Sequence, residues 1–110
     1  MRTPVRVASR SKYRAIRTNG YASKKEAKRG AELEMLEKAG EIRTLRKQHS
    51  FILLKADELG RQIRYVADFS YWDEGKREFV VEDVKGFRTQ VYKLKRRLMY
   101  SVHGLIVQEV

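Results

Sequence analysis

The chain has 110 residues, room for one domain, and 42% of them are hydrophobic, enough for a modest core, so the chain need not be disordered. It holds 25 Lys and Arg against 14 Asp and Glu, a net charge of +11, and no cysteine, which excludes disulfides and thiolate metal sites. There is no run of about 18 apolar residues to span a bilayer, no signal-peptide core, and no concentration of basic residues on one membrane-surface helix. The expectation is a cytoplasmic protein whose partner is a polyanion, first of all a nucleic acid.

Residues 1–12 read as a flexible basic arm with Arg2, Arg6, Arg10, Lys12 and the one proline, Pro4. Residues 13–17 form a candidate short strand closed by the turn signal Asn19-Gly20. Ser23 with Glu26 three residues later fits a capping box, and Gly40 is a stop, so a helix is predicted over 24–39. Residues 51–55 read as a buried strand, and a turn at 57–60 follows. A long alternating strand over 61–72, a tight turn at 73–76 and a returning strand over 78–85, ended by Gly86, make a hairpin. Thr89 caps a second predicted helix over 90–102, with Val91, Leu94, Leu98 and Val102 at helical spacing. Residues 105–107 close the chain as a last strand. The order is αβββαβ: a single α/β domain over 1–110, with a mixed sheet flanked by helices. A domain this small is often marginal, and a homodimer would be a natural way to gain stability and a second site.

The segments that carry chemistry are Tyr65-Val66-Ala67-Asp68-Phe69 and Val80-Val81-Glu82-Asp83-Val84-Lys85-Gly86. Side chains alternate along a strand, so Asp83 and Lys85 share a face while Glu82 and Val84 take the other, which leaves Glu82 outside a ligand set. A two-residue loop at Glu74-Gly75 would place Asp68 opposite Val81, with Asp83 its diagonal neighbour on the same face. Two carboxylates and an ammonium on one sheet face make an oxygen-donor site suited to Mg²⁺ or Mn²⁺. Such a metal activates water toward a phosphodiester, and Lys85 would orient that water or stabilise the developing charge. The same spacing also suits a surface cross-strand ion pair. His49 and His103 are too isolated for a zinc site without cysteine, and His49 reads as a loop histidine.

Asp68 followed, after a hairpin, by Asp83-Val84-Lys85 resembles the signature of PD-(D/E)XK nucleases, and the element order resembles their core. The resemblance is closer to a group of small phage-encoded, nuclease-like proteins of unassigned function within that superfamily. It is carried by Ser23-Lys24-Lys25-Glu26-Ala27, Leu36-Glu37-Lys38-Ala39-Gly40-Glu41-Ile42, the two segments around Asp68 and Asp83, and Thr89-Gln90-Val91-Tyr92-Lys93-Leu94-Lys95. These segments run in order across nearly all of 12–110. Ala67 stands where the superfamily formula has proline, a change that touches no metal ligand but moves the weight of the match to the other segments.

The resemblance implies a Mg²⁺- or Mn²⁺-dependent DNA endonuclease acting on branched or recombining phage DNA, such as a four-way junction or a nick, in the host cytoplasm. It implies Asp68, Asp83 and Glu26 as metal ligands, Lys85 as the fourth catalytic residue, and Gln48 as a supporting residue. Glu26 is at the same time the capping-box residue, with Glu32 and Glu34 as alternatives. DNA contacts are expected from Lys12, Arg14 and Arg17 on the arm, Lys24 and Lys25 at the first helix, and Lys93, Lys95, Arg96 and Arg97 on the second. Tyr71 and Trp72 are placed either to stack on a base or to pack on the sheet. The alternative of another class is a non-catalytic basic nucleic-acid-binding protein.

Overall fold

A single side-chain bond starts the first helix. The Ser23 hydroxyl accepts the Glu26 amide at 3.1 Å, satisfying one of the orphan donors of a helix start. From there α1 runs Lys24–Lys38 and buries Glu26, Gly30 and Leu33, a stripe at helical spacing on an otherwise charged surface. Gly40, at φ +80°, turns the chain out of it. The computed structural model describes residues 23–84 and 87–110. The predicted arm, the strand at 13–17, the Asn19-Gly20 turn, and Lys85 with Gly86 lie outside the described residues.

The first strand, β1 (Ile42–Leu54), begins nine residues before the predicted one. Its early half is polar, and Thr44 and Gln48 take positive φ values of 57° and 54°, so no clean alternation marks it in the sequence. It is held as a strand by antiparallel pairing with β2 (Ile63–Asp73), from Ile42↔Asp73 to Leu54↔Ile63, with an irregularity between Arg43 and Arg46. Asp57 caps the intervening turn, its carboxylate accepting the amides of Leu59 and Gly60.

The next hairpin corrects the predicted register. β3 (Glu78–Asp83) pairs with β2 through Asp73↔Glu78 and Phe69↔Glu82, so the loop has four residues, 74–77, rather than two. The cause is Asp73, whose Oδ1 accepts the amides of Gly75 (2.9 Å) and Lys76 (3.0 Å), while its carbonyl takes Arg77 N at 2.7 Å. One rung beyond Phe69↔Glu82, Asp68 therefore stands opposite Asp83, not Val81.

Thr89 caps α2 (Gln90–His103) by accepting the Tyr92 amide at 3.0 Å, and Gly104 in the left-handed region ends it. Apart from Leu98, the apolar residues at helical spacing are not the ones that face the core. Tyr92 and Met99 are buried, Leu98 is half-buried, and Val91, Leu94 and Val102 are exposed. The helix turns its polar-tipped residues inward instead, because the chain end supplies partners for the Tyr92 hydroxyl and the Arg96 guanidinium. The last strand, β4 (Gln108–Glu109), lies one residue past the predicted 105–107 and runs parallel to β3, giving a mixed sheet of order β1-β2-β3-β4. The fold is α/β with the order αβββαβ. Among the described residues no helix is long and apolar enough to cross a membrane.

Neighbouring residues of β3 show how the layers stack. Val80 packs with Leu33 of α1, Ile42, Phe69 and Tyr71, whereas Val81 packs with Tyr92 and Met99 of α2. Since successive strand residues face opposite sides, the two helices cover opposite faces of the sheet. A regular β2 would hold residues 65, 67, 69 and 71 on one face. Here Tyr65 and Ala67 join the α2 cluster and Phe69 and Tyr71 the α1 cluster, so the faces exchange across Asp68. On β1 the residue facing this point is Gln48, at φ +54°.

Candidate active site

The exchange point is also where β2 and β3 part. β3 ends at Asp83, and the amide of Val84, released from the ladder, donates to Asp68 Oδ2 at 2.7 Å. Gln48 reaches in from β1, its Nε2 donating to Glu26 Oε2 at 3.0 Å and, in a longer contact, to Asp68 Oδ1 at 3.5 Å. The unusual backbone of Gln48 thus sets an amide between a helix carboxylate and a strand carboxylate. Across the rung, Asp83 is 3% exposed and accepts the hydroxyl of Tyr65 on Oδ2. Glu26, Gln48, Asp68 and Asp83 come from four elements and gather where β3 ends, beside the middle of β1 and β2. Lys85, two residues on, is outside the described residues.

Tyr65 was missed by sequence reasoning. Its ring is 4% exposed within the α2 cluster, and burial, then the bond to Asp83 and that residue's charge, push its phenol far above the ordinary tyrosine range. Tyr92 and Asp68 add to the shift, so both aspartates act on this one hydroxyl, which stays protonated and donating. The signal available in the sequence was a tyrosine at a core position of a strand, since a buried phenol calls for an acceptor.

The donor set is all oxygen. Asp68 and Asp83 suit a hard cation, and Mg²⁺ in particular keeps several waters and is held through one or two carboxylates. Among the described residues no three of His, Cys, Asp and Glu are close enough to form a ligand group. The fit is therefore to a pair of aspartates, with Glu26 reaching Asp68 through the Gln48 amide rather than completing a trio. The histidines are engaged elsewhere. His49 Nδ1 pairs with Ser70 Oγ at 2.6 Å and its ring lies 4.2 Å from Phe51, while His103 Nε2 meets the Ile52 carbonyl at 2.8 Å. Desolvation, then the charge of Arg46, hold the His49 pKa below its usual value.

Glu82 faces α1, as its alternation predicts, and lies outside this pair. Arg29 grips it with Nε to Oε1 at 2.7 Å and Nη2 to Oε2 at 2.6 Å, and the Tyr71 hydroxyl donates to the same carboxylate. Tyr71 is thereby packed into the sheet, and Trp72 lies under the Arg43 guanidinium at 5.9 Å.

Of the predicted DNA contacts, Lys24 and Lys25 are exposed at the start of α1, and Lys93 and Arg97 are exposed on α2, with Lys95 half-buried. Arg96 is engaged with the Val107 carbonyl at 3.1 and 2.8 Å. Lys12, Arg14 and Arg17 are outside the described residues. Lys25, Lys28, Arg29 and Glu32, with Val84 and Val110, line a cavity of about 330 Å³ beside the end of β3.

Over residues 10–106 the chain matches the family model DUF1064, described as a protein of unknown function. No curated protein and no solved structure matches it.

Proposed function

The chain belongs to the DUF1064 family, and we propose that it is a metal-dependent DNA endonuclease of the PD-(D/E)XK kind. The observation that carries this reading is that Asp68 and Asp83 lie at the same strand junction: β3 ends at Asp83, and the amide of the next residue, Val84, donates to Asp68 Oδ2. The order αβββαβ and the Asp68, Asp83-Val84-Lys85 pattern support it by resemblance. Asp68 and Asp83 would hold Mg²⁺ or Mn²⁺, which supplies a Lewis acid for a phosphate oxygen and makes water a better nucleophile at neutral pH. Gln48 and, through it, Glu26 orient Asp68. Lys85 is assigned the attacking water or the charge developing on the phosphate.

The substrate follows from charge and size. A net charge of +11 favours a polyanion, and Lys24, Lys25, Lys93, Lys95 and Arg97 offer phosphate contacts that carry no base information. A domain of 110 residues with a sheet this small has little surface for long base readout, so DNA shape is the proposed determinant, with branched or nicked phage DNA as the target. A homodimer would present two sites to opposed strands of a junction.

The test is cleavage of labelled supercoiled, linear and four-way-junction DNA with Mg²⁺ or Mn²⁺, by the wild type and Asp83→Ala. The variant is expected to lose about a thousandfold in rate, as when roughly 4 kcal/mol of transition-state stabilisation is removed, while still binding DNA. No cutting of any substrate, with tight binding by both proteins, would replace this reading with the basic binding protein.

A further inference from the structure

We propose that Tyr65 is a positioning residue of this centre, holding the Asp83 carboxylate in the one rotation that presents it to the metal. The inference rests on the nuclease reading and adds to it a residue outside the superfamily's motif.

Asp83 is anchored twice. Its carbonyl accepts the Val110 amide at 3.0 Å, so β4 fixes the main chain, and its Oδ2 accepts the Tyr65 hydroxyl, so the side chain cannot turn freely. Tyr65 is itself placed by packing against Leu53, Ala67, Val81 and Met99, and by Tyr92, whose ring centroid is 6.4 Å away. Tyr92 is pinned in turn, its hydroxyl donating to Glu109 Oε2 at 2.8 Å while Arg88 donates to Glu109 Oε1 at 2.9 and 2.7 Å. A run of fixed groups thus leads from the surface of β4 to the candidate ligand. Hydrogen bonds of this kind orient metal-binding side chains, and their loss typically lowers metal affinity about 10- to 100-fold.

The molecule contains its own control. Tyr71 also donates from a buried phenol to a buried carboxylate, Glu82, but on the other face of the sheet and away from the aspartate pair. Both Tyr→Phe changes keep the ring and remove one hydroxyl.

The experiment measures direct Mn²⁺ binding and the Mn²⁺ concentration giving half-maximal DNA cleavage, for wild type, Tyr65→Phe and Tyr71→Phe. Tyr65→Phe is expected to raise both by about tenfold or more, with cleavage largely recovered at saturating metal; Tyr71→Phe should match wild type. Unchanged metal dependence in Tyr65→Phe, or an equal shift in both variants, would overturn the assignment while leaving the nuclease reading in place. A wild type that neither binds Mn²⁺ nor cuts DNA would instead remove the reading itself. Should Tyr65→Phe fail to fold, ring-labelled tyrosine in the wild type gives the same contrast by NMR. Adding Mg²⁺ should shift the Tyr65 signal and not that of Tyr71, and a Tyr65 signal that stays put counts against the proposal.

Discussion

Two carboxylates sit side by side on β3, equally buried and each bonded to a tyrosine, yet the two faces of the sheet treat them differently. Glu82, facing α1, is gripped by both edges of the Arg29 guanidinium as well as by Tyr71. Asp83, facing α2, takes the neutral phenol of Tyr65 and stands across the rung from a second carboxylate, Asp68. The first arrangement cancels a charge inside the protein and so ties α1 to the sheet. The second sets a carboxylate that accepts a phenol near another carboxylate at the point where the strands separate, an oxygen-donor pair of the kind that suits a hard cation. Burial and hydrogen bonding alone would rank the two alike; the groups described on them differ, a guanidinium on Glu82 and a phenol on Asp83.

The comparison breaks most visibly if Arg29 is removed. Arg29→Met leaves Glu82, 3% exposed, without its guanidinium, and a loss of about 3 kcal/mol in unfolding free energy is expected. Urea denaturation measures it, and a loss below about 1 kcal/mol would mean that Glu82 is not held as described. Cleavage per folded molecule should be nearly unchanged, because Arg29 touches neither aspartate.

Asp83→Asn should behave in the reverse sense. It removes one of two facing carboxylates while keeping an oxygen for the Tyr65 hydroxyl, so stability is expected to hold or rise, by up to about 1 kcal/mol. Metal-dependent cleavage should disappear. A stability loss comparable to that of Arg29→Met would make Asp83 a second brace and end the distinction.

What the sequence revealed follows the same line between local and distant causes. The helices were legible because Ser23, Thr89 and Gly40 act on their own neighbours, through bonds spanning three or four residues. The early half of β1 was not, because Arg43, Thr44, Arg46, Lys47 and Gln48 carry no strand pattern and are held by a partner strand some twenty residues away. The aspartates were legible from residue type and alternation. Their register was misjudged because Asp73 caps a longer turn, but the error was two residues, an even number, so Asp83 kept its face. Tyr65 and the Arg29–Glu82 brace were invisible, since each is defined by an acceptor 18 or 53 positions away. The inward face of α2 was not legible from its apolar spacing, because Tyr92 and Arg96 are drawn in by acceptors on the chain end.

Gln48 sharpens the comparison from the β1 side, where strain rather than charge marks the site. A non-glycine residue at φ +54° costs on the order of 1 kcal/mol, and here it sets the amide between Glu26 and Asp68. Gln48→Gly and Gln48→Ala both remove the amide, so the glycine variant should be the more stable of the two by about 1 kcal/mol. Both should cleave at least about tenfold more slowly than wild type. Equal stabilities would show that the backbone is not strained there, and full activity would detach Gln48 from the site.

The smallest effect is expected where the support for Asp83 reaches the surface. Glu109 is held at a pKa of about 2, below its ordinary 4.5, first by the Arg88 bonds and then by the Tyr92 hydroxyl and the Arg96 charge. A carboxylate whose pKa is lower in the folded state releases its proton more readily there than in the unfolded chain. Its contribution is therefore complete above about pH 4.5 and fades as the pH falls toward 2. Replacing Glu109 by Gln removes that dependence, so the acid limb of the stability–pH curve should become shallower by less than one proton across this window. Glu109 pairs with Asp83 in the β3–β4 ladder, and its carboxylate reaches that side only by way of Tyr92. The Gln side chain keeps the strand in place, so the same variant should leave the Arg29–Glu82 side unaltered and raise the Mn²⁺ requirement by less than Tyr65→Phe does. An acid limb identical to wild type would mean that the Arg88–Glu109–Tyr92 link adds nothing to holding β4 against α2, and that Asp83 is held by the Val110 amide and the Tyr65 hydroxyl without it.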